Sequence, residues 1–327
     1  MTNVPSIVKP KRVPREELHG KPGKEDPATV DSAGALVIAA NREFFDQIAN
    51  KYDRYESCAT DVYLQNILEK DLDTIQARLS TLGRTPDCLD CGGGSGNLAL
   101  KMLARGWTVT VVDVSGAMLA LLSEKARSRG HSPRLVHSSI ESFLREARQV
   151  FDVIAFTSVL HHLYCCTSVV RQAATMVRPG GFFYSNYDPV VPKRPSLTRA
   201  FDAMDILFAK VKFDVSDVIP GITRRLKKAF TRRDSNFRRR LVTAGDLAEY
   251  RAHAGVEDAE VVRILQLEGF GIIEHARYPA GRTKAIRFLN ERFRLLEYFK
   301  VIAGRKHEFI ATTKASQTRT SPVAASQ

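Results

Sequence analysis

The residues of this chain best suited to chemistry are two acids and three glycines: Asp90, Gly92, Gly94, Gly96 and Asp113. Their spacing suits a strand that stops at Cys88-Leu89-Asp90 and a turn tight enough for a ligand to touch bare backbone. A helix would follow, its free N–H groups facing that ligand. Asp113 closes the β-branched run Val109–Val112, where a carboxylate can accept hydrogen bonds from both hydroxyls of a ribose. A second candidate group is His161-His162, just beyond the apolar run Phe151–Phe156. Histidine changes protonation near neutrality and can act as a base there. Tyr250 and His253 fall where a later insertion returns toward the same edge and are candidate acceptor contacts; Tyr250 joins the two histidines as a catalytic candidate.

Two other glycine motifs are excluded by register. A dinucleotide fingerprint needs GxGxxG, but the glycines here run GxGxG and Asn97 occupies the closing position. The hydrolase elbow GxSxG fails at the same residue, so Ser95 is read as loop and not as a nucleophile. Cys88 and Cys91 form a CxxC without a second pair at zinc-finger spacing, and read as small residues beside a tight turn.

The elements that must position these groups follow from periodicity. Asp31-Ser32 is expected to cap a first helix ending near Tyr52-Asp53, and a second is expected from about Ala59 to Leu79. From Asp87 short β-branched runs alternate with helical patterns, which predicts a parallel, doubly wound α/β sheet. Strands are expected at 87–90, 107–112, 134–137, 151–156 and 181–186, with helices near 97–105, 115–129, 139–148 and 167–177. After Asp188 the rhythm breaks into an amphipathic helix around Ser196–Lys212, a basic stretch Gly221–Arg240 and a helix near Ala244–Ala252. Helix Asp258–Glu268, strand Gly271–Tyr278, helix Thr283–Arg294 and strand Glu297–Ala303 then complete the pattern. The expected organisation is a disordered tail over 1–30, one domain over 31–306 and a second tail over 307–327. Within the domain, 31–80 is an N-terminal helical part and 189–255 a helical, basic insertion between the fifth and sixth strands.

Composition sets further bounds. Five cysteines in 327 residues, two of them adjacent, do not make a disulfide framework, and a reducing cytoplasm is expected. No stretch approaches the roughly 20 apolar residues needed to span a bilayer. The net charge of +13 is uneven: Pro189–Gly245 holds 14 Lys or Arg against 5 Asp, nine of the thirteen surplus charges.

Several segments together resemble the class I S-adenosylmethionine-dependent methyltransferases of the small-molecule type, over roughly 42–304. Asp90 to Gly96 is similar to the family's first motif, and Asp113 to its acidic strand end. Phe151–Phe156 with Val159-Leu160-His161-His162-Leu163 resembles its fourth-strand motif, and Arg178-Pro179-Gly180-Gly181 its turn into the fifth strand. Phe45–Asp53 resembles the N-terminal segment of ubiquinone- and menaquinone-type methyltransferases, in which a tyrosine, here Tyr52, closes over the cofactor. The resemblance implies a Rossmann-like methyltransferase sheet and S-adenosylmethionine as cofactor. It implies a cofactor site of Tyr52, Asp90, Gly92, Gly94, Gly96, Asp113, Ser139, Ile140 and Thr157, with no metal. At the third strand Ser139 stands where the family usually has an Asp for the adenine amino group, and Ile140 is placed to pack on the adenine face.

The expected function is methyl transfer to a small-molecule or lipid-like acceptor. An RNA methyltransferase and a non-catalytic, methyltransferase-like binding protein are the alternatives. For the basic insertion, with Arg232, Arg233, Arg238, Arg239 and Arg240 among Phe230, Phe237 and Leu241, three roles order themselves. A lid over the acceptor comes first, peripheral contact with an anionic membrane second, and nucleic acid third, because no RNA-binding module is recognisable.

Overall fold

Period-two alternation sends successive strand residues into two apolar cores, and helices cover both. The computed structural model describes residues 32–55, 57–198, 200–201, 204–205, 255–281 and 284–307. Among these, β1 (Asp87–Cys91), β2 (Thr108–Asp113), β3 (Arg134–His137), β4 (Phe151–Thr157), β5 (Val177–Pro189), β6 (Phe270–Pro279) and β7 (Glu297–Arg305) form one sheet in the order β3-β2-β1-β4-β5-β7-β6. The helices are α1 (Ser32–Tyr55), α2 (Ser57–Thr60), α3 (Val62–Leu79), α4 (Ala99–Ala104), α5 (Gly116–Ser128), α6 (Ile140–Glu146), α7 (Cys166–Thr175), α8 (Asp258–Leu267) and α9 (Lys284–Phe293). Leu89, Cys91, Ile154 and Phe156 pack with Phe143 of α6, Val170 of α7 and Ile264 of α8. Cys88, Val153 and Ala155 pack on the other side with Leu72 of α3, Met102 of α4 and Leu122 of α5. Cys88 and Cys91 therefore point into opposite cores and do not form a shared ligand pair.

Expected elements and observed ones agree to within a few residues, and the differences have local causes. The second expected helix is divided because Asp61 caps α3, its carboxylate accepting the Leu64 amide at 3.2 Å. β5 starts earlier than expected, pairing Val177 with Phe151 before a bulge brings Phe182 opposite Val153. Strands β1 to β5 are parallel, as expected of a doubly wound sheet. β7, however, enters between β5 and β6 and runs antiparallel to both. Alternating apolarity carries no direction, so periodicity alone does not reveal this reversal. The expected helix 196–212 is helical at the described positions 195–198, 200–201 and 204–205. The basic stretch, Tyr250 and His253 lie outside the described residues. No helix among the described residues is long and apolar enough to cross a membrane.

One buried polar network ties α3 to the sheet. Asp71, 1% exposed, accepts hydrogen bonds from Tyr184 Oη at 3.0 Å, Asn186 Nδ2 at 3.1 Å and Lys300 Nζ at 2.6 Å. Burial pushes its carboxyl up, and the Lys300 ammonium and the Tyr184 hydroxyl draw it back. Truncating one member strands the others without water, which costs more than the intact pair contributes. Asp71→Ala is therefore expected to lower stability by about 3 kcal/mol or more in equilibrium urea unfolding. The combined Asp71→Leu and Lys300→Met variant should recover part of that loss; equal loss in both variants would show that the charge pair is not the cause.

Candidate functional site

β1 and β2 end side by side at the carboxyl edge of the sheet, where ligands bind in open α/β folds. Beyond Cys91 the backbone turns through Gly92, Gly94 and Gly96, whose φ angles of 69°, 52° and 95° exclude most side chains. A Cβ at Gly92 would also lie 2.7 Å from Val159 Cγ2, and one at Gly96 2.2 Å from Leu122 Cδ1. At Gly94 the space is open and only the φ angle demands glycine.

Asp113 holds this turn in place. Its Oδ2 accepts the Gly94 amide and its Oδ1 the Ser115 amide, each at 2.8 Å. A carboxylate has about four acceptor positions, so capacity for a ligand remains after these two bonds. Helix α1 closes over the loop from above. Asp46 Oδ1 accepts from Ser115 Oγ at 2.6 Å, and Asp53 receives Ser95 Oγ and Lys125 Nζ, while Lys125 also donates to Ser95 O at 3.0 Å.

The result is a cleft of about 700 Å³, measured to its open mouth. Tyr52, Gly92, Gly94, Asp113, Ser139, Ile140, Thr157 and His162, all singled out from sequence, line it. Ser139 also caps α6, its Oγ accepting the Ser142 amide at 3.2 Å. Gly96 is packed behind the wall against Leu122. Asp90 lies fully buried beneath the loop, its Oδ2 2.8 Å from where a Cβ on Gly93 would sit. His161 is buried, its Nδ1 2.7 Å from Asp188 Oδ1, and the same oxygen accepts the His161 amide at 3.1 Å. The His161 and His162 rings lie 3.9 Å apart, and Phe45 meets the His162 ring edge-on at 5.2 Å.

Sequence reasoning missed several contributors. Val37, Ile38, Asn41 and Phe45 of α1 line the cleft, with Val114, Met118, Glu141, Ser158 and Leu163. The helical spacing of 37, 38, 41 and 45 was the available signal. Asn41 Nδ2 donates to His162 O at 3.1 Å, and its buried Oδ1 has no donor among the described residues. Ser158 has a φ of 58°, unusual outside glycine, and its amide bonds Asn186 O at 2.8 Å.

Three carboxylates gather at this cleft, all held above the usual range. For Asp90 burial is the main cause and the nearby Asp113 charge adds to it, raising the pKa to about 7. Neither Asp90 oxygen has a hydrogen-bond partner among the described residues; the Ala99 amide, short of hydrogen-bond geometry, only partly offsets the shift. Burial likewise raises Asp113, against the pull of the Ser115 and Gly94 amides, and Glu141. Buried acids beside an apolar wall of Ile140, Met118 and Val37 suit a ligand that is cationic at one end and flat and apolar at the other. An adenosyl sulfonium with an amino-acid tail fits that description.

The family match agrees with this chemistry. Residues 89–185 match the methyltransferase domain family. A tRNA 5-carboxymethoxyuridine methyltransferase from Escherichia coli (strain K12) is 32% identical over 140 residues, 42% of this chain and 53% of that protein. A ubiquinone biosynthesis O-methyltransferase from Pseudomonas putida (strain W619) is 33% identical over 118 residues, 36% of this chain and 50% of that protein. The chain thus spans about half the length of the curated relatives it matches. Among solved structures, magnesium protoporphyrin IX methyltransferase from Synechocystis PCC 6803 aligns over 83% of this chain and 100% of its own, with 15% identity and a TM-score of 0.49.

The raised Asp90 pKa has a defined sign. Its stabilising share is complete below the unfolded carboxylate value near 4 and is lost as pH rises through about 7. Between pH 5 and 8 the ligand-free wild type should therefore lose roughly 2–3 kcal/mol relative to Asp90→Asn. Thermal unfolding of both proteins across that range checks this; parallel pH profiles would show that Asp90 ionises normally.

Proposed function

We propose that this chain, whose residues 89–185 match the methyltransferase domain family, is an S-adenosylmethionine-dependent methyltransferase that transfers a methyl group to a small-molecule or lipid-like acceptor. The observation carrying the proposal is the cleft that has Asp113 and the glycine turn on one side and His162 and Ser158 at the end of β4 on another. S-adenosylmethionine, when bound, supplies an electrophilic methyl group on a sulfonium. Asp113 would hold the ribose hydroxyls, and Gly92 and Gly94 would let the ligand approach bare backbone. Ile140 and Met118 would flank the adenine, and the unpartnered Asn41 Oδ1 would accept from an N–H or O–H of cofactor or acceptor. Tyr52 and Phe45, carried on α1, would cover the cleft and exclude water.

Methyl transfer asks first for alignment and then for removal of the acceptor's proton. His162 is the cleft-lining group suited to take that proton on an imidazole nitrogen. His161 would act from behind it as a positioning residue: buried Asp188 fixes its ring, whose centre lies 3.9 Å from that of the His162 ring, tilted by 42°. The basic segment between β5 and α8 would cover the acceptor, with Tyr250 as a contact.

A second reading, tRNA as acceptor, is favoured by the relative from Escherichia coli whose name states a tRNA substrate. A labelled-methyl assay offering lipid, small-molecule and tRNA fractions separates the two. Label in the lipid or small-molecule fraction supports the proposal, and label in tRNA alone overturns it.

Asp113→Ala should weaken S-adenosylmethionine binding by about 1–3 kcal/mol, as read by calorimetry on the folded variant. Unchanged affinity would exclude the ribose role. With an identified acceptor, His162→Ala should lower kcat by about 10²-fold or more while cofactor affinity stays the same. An unaffected kcat would leave alignment alone as the source of rate.

A further inference from the structure

Helix α9 is amphipathic the wrong way round for a helix that faces water. The side it turns to the fold carries Ile286 beside two polar residues, Arg287 and Asn290. Asn290, fully buried, donates to Ala280 O at 2.8 Å and accepts the Leu295 and Leu296 amides at 2.8 and 3.0 Å. Arg287 donates to Asp61 Oδ2 at 2.5 Å and lies 4.4 Å over the Tyr63 ring. The outward side carries Phe288 at 73% exposure, Phe293 at 62% and Leu289 at 40%. At about 100° per residue these three span an arc of roughly 140°, with Arg292 inside it. Leu197, 51% exposed, belongs to the neighbouring helical turn, whose Thr198 Oγ1 donates to Leu295 O at 2.9 Å.

The place of this patch in the fold gives it meaning. β6 runs into α9 at Pro279, paired with Glu297, and Pro189 at the end of β5 pairs with Tyr298. α9 therefore sits at the carboxyl edge of the sheet, the edge at which Thr157 pairs with Asn186 and the cleft opens. Exposed cations accompany the apolar side chains, Lys284 and Arg292 on α9 and Lys193 and Arg194 near Leu197, while Arg294 is paired with Glu297; the helix carries one exposed acid, Glu291.

We propose that α9 seats on an anionic lipid bilayer, with Phe288, Leu289 and Phe293 entering the headgroup boundary and Arg292 and Lys284 meeting lipid phosphates. Exposed phenylalanine and leucine interleaved with cations are the surface that an interfacial helix needs. A second copy of the chain is disfavoured because two-fold pairing of this face would set Arg292 and Lys284 against like charges. Nucleic acid would reward the cations but not the aliphatic Leu289 and Leu197. This deepens the lipid-like acceptor reading and rests on it only for its purpose, since adsorption is measured without turnover.

The full chain is co-sedimented with vesicles of equimolar phosphatidylglycerol and phosphatidylcholine and with phosphatidylcholine alone. Wild type should favour the anionic vesicles and be released as salt shortens the Debye length. Phe288→Ser combined with Phe293→Ser, which leaves every cation in place, should bind at least about tenfold less while melting like wild type. In a second measurement, Phe293→Trp adds an exposed reporter to a chain whose one tryptophan, Trp107, is buried, and its emission should move to the blue on adding anionic vesicles. Wild-type-like sedimentation of the double serine variant, or no spectral shift, overturns the proposal. So does a wild-type dimer that ignores vesicles and becomes monomeric in the serine variant. Failure here leaves methyl transfer untouched, and absence of methyl transfer with normal adsorption would leave this surface standing.

Discussion

The Asp113 carboxylate is the point on which the site depends. One oxygen takes the Gly94 amide and the other the Ser115 amide, so a single side chain joins the glycine turn after β1 to the start of α5. Everything above it is fastened to the same two places. Asp46 bonds Ser115 and the Ala117 amide, and Asp53 bonds Ser95 and Lys125, so α1 rests on the loop that Asp113 holds. A glycine turn without this clamp would have to order itself on ligand binding, at a conformational cost of about 1–2 kcal/mol for each residue fixed.

The clamp is costly in one respect, because it brings a second buried carboxylate toward Asp90. Burial already pushes the Asp90 carboxyl up, and the Asp113 charge adds to it, so Asp90 holds its proton to near neutrality. Such an arrangement is poorly matched to an empty site and well matched to a cationic ligand, whose charge would favour ionised Asp90 and Asp113. Ligand binding and proton release are expected to be linked for that reason.

The opposite wall of the cleft has its own source of rigidity. Ser158 and Tyr187 adopt left-handed φ angles of 58° and 66° at the neighbouring ends of β4 and β5. Conformations of this kind cost of order 1–3 kcal/mol each and persist only when their surroundings overdetermine them. Here Asn186 supplies that constraint: its carbonyl accepts the Ser158 amide, its side-chain oxygen accepts the Tyr187 amide, and its Nδ2 reaches Asp71. Tyr187 Oη is further fixed on Leu64 O at 2.5 Å. The Asp71 network under α3 thus helps to shape the wall of the cleft at Ser158.

The sequence by itself determined what is periodic or stereochemically forced. Alternating apolar residues foretell the strands within a few positions, and GxGxG followed by an acid at the next strand end foretells the tight turn after β1, because glycine takes left-handed φ angles without steric cost. It also places His162, Ile140, Ser139 and Thr157 at strand ends, which is enough to bring them into one cleft in a parallel sheet. Only the tertiary structure decided that β7 runs antiparallel between β5 and β6, that Asp188 holds His161, and that Asn41 and Phe45 line the cleft. It likewise turned the phenylalanines of α9 outward, because Asn290 and Arg287 found partners in Ala280, Leu295, Leu296 and Asp61. These outcomes come from contacts between residues far apart in the chain, and local periodicity records a residue's spacing along the chain but not the identity of its distant partners.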